Sequence, residues 1–483
     1  MSESLKIMII ISVMVTTRFT LSRPTSRRRR GGPTGPFREP LARPFAGVPA
    51  NSATHRGRTP FGAPLAAACG AALLLSGCAA GPAQNSAESS ASPSRGTQAA
   101  EPTELRAPKP RLAYTYAGGV GVLDAATLEP AGDVALEGYN RISPAGDNRH
   151  ILVAADDSFR ILDAGTWTER HGDHGHSYAA QPGMTDHAFA ASKPGHVVRH
   201  AGRTVLFSDG SGKVESFGSA ALGALAKDGL PKTTTYTAPE AHHGVAVELE
   251  DGKLLVTVGN ENARNAVALL GPAASWGAPG QDRKEILRSQ DCPGVHGEAV
   301  AGENTVTFGC EDGMLVFKDG QFSKVSSPDP YGRMGNQAGS PASPVVFGDY
   351  KVDKDAVLER PTRISLVNAG SKALKLVDLG TSYSFRSLGR GPSGEALVLG
   401  TDGALHVLNP LAGATAATVP VVPAWQEPEA WQEPRPTLFV QGSTAYVTEP
   451  AARKIHAVDL KAGKVVRTAT LAHTPNELTG VMG

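Results

Sequence analysis

From residue 112 to the end, short apolar alternations recur between Asp, Asn and Gly turns, and no stretch sustains a long helical period. That rhythm constrains the fold more than any other feature. Residues 254–258, 305–308, 314–317 and 396–399 have the length and alternation of half-buried strands. Asp251-Gly252, Asp312-Gly313, Asp319-Gly320 and Asp402-Gly403 read as the turns of tight hairpins. The 55 Gly and 36 Pro supply turn formers in keeping with this. The expected fold is all-β.

A longer period overlies the strands. The phrase Ile-Leu-Asp-Ala-Gly-Thr at 161–166 is echoed at 122–127, 376–381 and 457–463. The echoes fall at multiples of roughly 40–50 residues, and that period with four strands per unit marks a β-propeller. Counting units from residue 112 gives about eight blades, roughly one per repeat, and seven is also compatible. Leu478–Val481 is expected to supply the inner strand of the blade begun by residues 112–136, closing the ring.

The N-terminal part is of another kind. Residues 1–77 carry 11 Lys/Arg against 2 Asp/Glu, which leaves 36 basic against 44 acidic residues in the remainder. A mildly acidic folded part argues against nucleic acid as a partner, because phosphate binding needs a basic face. Arg56 and Arg58 precede an apolar run at 61–75 that ends in Leu75-Ser76-Gly77-Cys78. Basic flank, short apolar core and small residues before a processing site define a signal peptide, and the run is too short to span a bilayer comfortably. Leu-Ser-Gly-Cys resembles the bacterial lipobox, which makes Cys78 the lipidated first residue of an exported, membrane-anchored protein. Translation is expected to begin nearer Val48 or Ala50, so 1–77 is read as an over-called start plus signal peptide. Residues 78–111, rich in Ala, Ser, Pro, Gln, Glu and Gly, are expected to be the lipidated Cys and a disordered tether. Residues 112–483 form the domain. Its two cysteines, Cys292 and Cys310, are read as one disulfide, with two buried thiols as the alternative.

The histidines are arranged by position. Three segments share the form His-small-x-Ala where an innermost strand is expected to begin: His176-Ser-Tyr-Ala179, His243-Gly-Val-Ala246 and His296-Gly-Glu-Ala299. Strands lining a propeller channel converge at one mouth, so the three imidazoles are expected to meet there. Three neutral imidazoles suit a borderline-soft divalent ion such as Zn²⁺. The ligand-dense loop His171-Gly-Asp173-His174-Gly-His176 adds His174 and Asp173 as accessory ligands or as a second, looser site. Asp173, Glu240 and Glu298 offer carboxylates nearby. His150, His406 and His456 sit on strand alternations and read as structural; His187, His196 and His200 show no partner.

At 171–179, 240–246 and 292–299 the sequence resembles the AztD-type zinc metallochaperones, exported propeller proteins linked to zinc ABC importers. The resemblance implies a monomer that holds Zn²⁺ with His176, His243 and His296 and passes it to the importer's solute-binding protein, with no catalytic residue. It departs in one respect: the tether contains no His. Two other readings stand beside it. One is a lactonase-like metal-dependent hydrolase with Glu298 as general base; the other is a metal-free binding propeller. No Gly-x-Ser-x-Gly elbow supports covalent catalysis.

Overall fold

The structure, a computed structural model, describes residues 101–273, 283–302 and 304–483. The signal peptide, Cys78 and most of the tether lie outside the described residues. Among the described residues the strands form seven four-stranded sheets, one five-stranded sheet and one three-stranded sheet. Apart from a parallel contact of Gly332–Arg333 with Asp312, neighbouring strands run antiparallel. Almost every larger sheet is a meander of consecutive strands, the arrangement that short strands and tight turns enforce. In the first, Leu478–Val481 lies beside Arg111–Tyr116, with Arg111 opposite Val481 and Tyr114 opposite Leu478.

Burial falls from the first strands of a sheet to the last. Gly119–Asp124 and Thr305–Cys310 are buried on both faces, whereas the fourth strand Ala414–Pro420 is mostly exposed. A strand buried on both faces must be packed between two layers, and the core clusters show which. Ala113 and Val122 pack with Ile151 and Val153 of the second sheet, and those of later sheets pack likewise with their successors. The last sheet meets the first: Tyr446 and Ile455 pack on Leu112 and Tyr114, and the Tyr446 hydroxyl donates to the Ala125 carbonyl at 3.0 Å.

The repeated Asp phrase is a loop motif. Asp124 Oδ1 accepts the amide protons of Ala126 and Thr127, and Asp459 Oδ1 those of Lys461 and Ala462. Asn368 and Asn409 do the same without the Asp of the phrase. Each loop then closes with the fourth residue onward donating its amide proton to the first residue's carbonyl at 2.8 Å, as Gly463 does to Asp459 and Lys372 to Asn368. The closing residue is left-handed, which favours Gly at 413 and 463. These loops join the third and fourth strands of their sheets. The copy at 376–381 differs, since Asp378 ends a fourth strand.

One sheet is interrupted. Between its third strand, Ser158–Asp163, and its outermost strand, Gly183–Ala190, the chain makes a separate hairpin from Thr166–His171 and His174–Ala179. Thr103–Leu105 adds a third strand to it. The end of the stretch read as a tether is therefore paired. Its composition is poor in large apolar residues, but an edge strand joins through backbone hydrogen bonds, which composition does not register.

Candidate metal centre

His196, His243 and His296 bring one nitrogen each into a single group, all within 4.8 Å of one another. They come from three sheets consecutive in the chain. His196 lies on Pro194–His200, His243 stands just before Ala246–Glu248, and His296 opens His296–Ala301. Each of these is the first strand of its sheet. The Nε2 atoms of His243 and His296 are 3.2 Å apart, and those of His196 and His243 3.3 Å.

Two of the rings are backed by a hydrogen-bonded oxygen at Nδ1. Asp209 Oδ2 accepts from His243 Nδ1 at 2.6 Å, and the Gly335 carbonyl accepts from His296 Nδ1 at 2.8 Å. Glu298 Oε2 lies 3.7 Å from His196 Nδ1. A carbonyl and a carboxylate only accept, so the Nδ1 atoms of His243 and His296 carry the protons. Their Nε2 lone pairs then face each other with no proton between them. Such an array needs a cation. Zn–N bonds of about 2.0–2.1 Å at a tetrahedral centre set the nitrogens about 3.3–3.4 Å apart, and the observed separations match.

Local sequence explains the approach. A Cβ on Gly195 would lie 2.3 Å from Asp209 Oδ1, so glycine beside His196 admits the carboxylate that orients His243. Gly297 has φ +72°, a conformation that favours glycine, at an irregularity between the pairing of His296 with Gly309 and that of Glu298 with Phe308. Four residues before His296, Cys292 is bonded to Cys310, so neither thiol is available as a ligand. His242, beside His243, is buried and bonded to Thr257 and to the Glu240 carbonyl, which makes it structural.

Burial, first, pushes His296 down to about 4, its bond to Gly335 opposing and the neighbouring cationic groups adding. Burial followed by His243 and His296 holds His196 well below the ordinary histidine value. Both are neutral near pH 7, the form that binds metal. Burial lifts Glu298 to about 8. A carboxyl that keeps its proton at neutral pH does not serve as a general base there. The imidazoles open onto a cavity of about 500 Å³ that is also lined by Arg141, Phe385 and Trp431.

The group departs from the sequence reading in one member. His176 is not in it: it lies on the separate hairpin, half exposed, with Nδ1 2.6 Å from Glu104 Oε1. His174 and Asp173 are on the same hairpin, exposed. The His-small-x-Ala pattern fits that hairpin as well as it fits an innermost strand, which is why it misled. His196 carries no such pattern, but spacing finds it. It precedes His243 by 47 residues and His243 precedes His296 by 53, each close to one repeat. His150, His406 and His456 are paired to Asp147, Asp402 and Glu449 and hold structural positions.

Fold and site define a candidate metal-binding protein of all-β architecture. The chain resembles the AztD-type zinc chaperones in particular. It is 26% identical over 319 residues to the zinc chaperone AztD of Citrobacter koseri, a match spanning 65% of this chain and 71% of that protein. The crystal structure of Citrobacter koseri AztD superposes with a TM-score of 0.65 at 24% identity, over 78% of this chain and 98% of the other. The apo form of AztD from the same organism gives 0.64 at 22% identity, with the same coverage. At these identities the superpositions speak to the fold. No family model matches the chain.

Proposed function

We propose that the protein is an extracytoplasmic zinc metallochaperone that binds one Zn²⁺ tightly through His196, His243 and His296 and passes it to the solute-binding protein of a zinc ABC importer. The observation that carries this reading is the convergence of three imidazoles within 4.8 Å, with His243 Nε2 at a zinc tetrahedron's edge length from both neighbours and hydrogen-bonded oxygens behind His243 and His296. Such outer oxygens fix the tautomer and strengthen the ligand. Three protein ligands leave the fourth position facing the cavity, where a partner's side chain can enter before the imidazoles let go. The fold reading that accompanies it is an eight-bladed propeller closed by Leu478–Val481; the packing of the last sheet on the first supports it. Anchoring through a lipid on Cys78, a monomeric state and the tethering role of residues 78–100 belong to the same proposal, and the disulfide supports an oxidising compartment.

The test is transfer. Zinc-loaded protein mixed with the apo solute-binding protein is expected to lose its metal faster than it does to a chelator that accepts only free ions. Equal rates would contradict hand-off while leaving the binding site intact.

A further inference from the structure

Beside Phe385, the cavity in front of the imidazoles is walled by more positive than negative charge. Arg435 and Arg386 stack on the Phe385 ring at 5.0 Å and 5.1 Å. Arg435 is paired with Glu427 at 2.6 Å, both side chains being buried. Arg386 shares the single carboxylate of Glu477 with Arg141, at 3.3 Å and 3.4 Å. Glu477 also accepts from the Tyr139 hydroxyl and the Ile142 amide, each at 3.1 Å. Three guanidinium groups thus stand against two carboxylates. The excess charge is that of Arg141. It opens Arg141–Pro144, the first strand of its sheet, as His296 opens its own. Among the described residues only its Nε is bonded, and its half-exposed side chain lines the cavity with the imidazoles.

An unpaired guanidinium facing a zinc site calls for an anion. Zinc held by three neutral imidazoles keeps its double charge, and like charges in a partly enclosed cavity repel more than they do in water. The chain's own acids do not relieve this. Asp209 is bonded behind His243, and Glu298 stands 3.7 Å from Nδ1 of His196, behind that ring. A carboxylate satisfies both cations at once, because it carries two oxygens. One can ligate zinc at about 2.0–2.2 Å, and the other can accept from the guanidinium fork. Phe385 and Trp431 supply apolar surface for the carbon chain that bears it. Trp431, edge-on to Tyr139 at 5.2 Å and 53% exposed, leaves the cavity reachable from solution.

We propose that Arg141 is a carboxylate-binding residue, and that it seats a carboxylate from outside the chain as the fourth ligand of the metal. The carboxylate is an acidic side chain of the receiving protein or a small free acid. This deepens the proposed zinc function and rests on it for the metal; for the anion it rests on Arg141. A neutral fourth ligand such as an imidazole gains nothing from Arg141, so the residue selects the chemistry of what may approach the ion.

The experiment loads the full chain with Co²⁺, whose visible absorption reports its ligand set, and titrates it with sodium acetate against sodium perchlorate at equal ionic strength. Acetate is expected to change the wild-type spectrum saturably, and perchlorate is not. Arg141→Ala should weaken acetate at least about tenfold, the loss of a charge-assisted hydrogen bond. Arg141→Lys, which keeps the charge without the fork, should fall between. Without acetate, Arg141→Ala should hold Co²⁺ at least as tightly as wild type, because a positive charge has left the ion's surroundings. Damage to the fold would weaken metal and anion together. Zinc transfer to the apo solute-binding protein then separates the two sources. Slowing by acetate assigns the carboxylate to the partner, and transfer that acetate does not slow assigns it to a free acid. Co²⁺ binding undiminished by joint His196→Ala, His243→Ala and His296→Ala substitution would contradict the metal centre itself. A wild-type spectrum indifferent to acetate, or equal acetate affinities in wild type and Arg141→Ala, overturns the role of Arg141.

Discussion

At the scale of the residue, the account turns on His196 and on what stands behind each ring. Asp209→Asn keeps the shape but weakens the acceptor at His243 Nδ1, and loss of such an outer partner typically costs about 10–100-fold in metal affinity. That loss is expected in a competitive zinc titration, whereas His176→Ala should leave the tight equivalent unchanged. The pH dependence follows from burial. An ordinary imidazole near ~6.5 would surrender zinc as pH falls through that value. His296, held at about 4 chiefly by burial, and His196, lowered by the same cause, stay neutral further down. Zinc is therefore expected to be lost at a lower pH than from exposed imidazoles, measured by competitive zinc titration between pH 7.5 and pH 4. The sign for folding is the reverse. The unfolded chain protonates His296 near ~6.5 while the folded metal-free chain does not until about 4, and His196 is lowered in the same direction. Metal-free protein should lose stability as pH drops between those values, and denaturant midpoints at pH 7.5 and pH 5 measure it. Two of the three clustered imidazoles, His243 and His296, are legible from sequence because a His-Gly pair stands at or just before the start of their strands. His196 follows its glycine instead, so a motif search passes over it and only the repeat spacing reveals it.

At the scale of the element, the third-to-fourth-strand loops show what the sequence carries locally. Their Asp or Asn and their closing left-handed residue are readable because each satisfies a specific backbone need. Lys372 occupies that left-handed position at φ +59° and is exposed. Lys372→Gly removes the steric cost of the left-handed conformation, partly offset by glycine's larger entropy loss. The variant should be more stable by up to about 1 kcal/mol in chemical denaturation. The disulfide closes a loop with a sequence separation of 18 that contains His296. Replacing both cysteines with serine should destabilise the domain by about 3 kcal/mol from loop closure. The hairpin at 166–179 was not legible as an insertion. Its alternation is that of any strand pair, and only the later strand Gly183–Ala190, paired with Ser158–Asp163, shows that it stands outside the meander.

At the scale of the whole molecule, all-β architecture follows from turn spacing alone, because no long helical period competes with it. Which sheets pack together is a matter of cores built from residues far apart in sequence, such as Tyr446 on Leu112, and local pattern does not reach it. The same separation hides the metal centre, whose three candidate ligands come from three sheets and whose hydrogen-bonded oxygens come from Asp209 and Gly335. The likeness to Citrobacter koseri AztD in sequence and fold and the three converging imidazoles lead to the same reading, a carrier of zinc. The most direct test of that reading is a crystal structure of the zinc-loaded protein with anomalous diffraction recorded at the zinc edge. The account predicts a strong peak about 2.0–2.1 Å from each Nε2 of His196, His243 and His296, with the open side toward Trp431 and Arg141. Strong peaks confined to other residues, with none among these three rings, would contradict it.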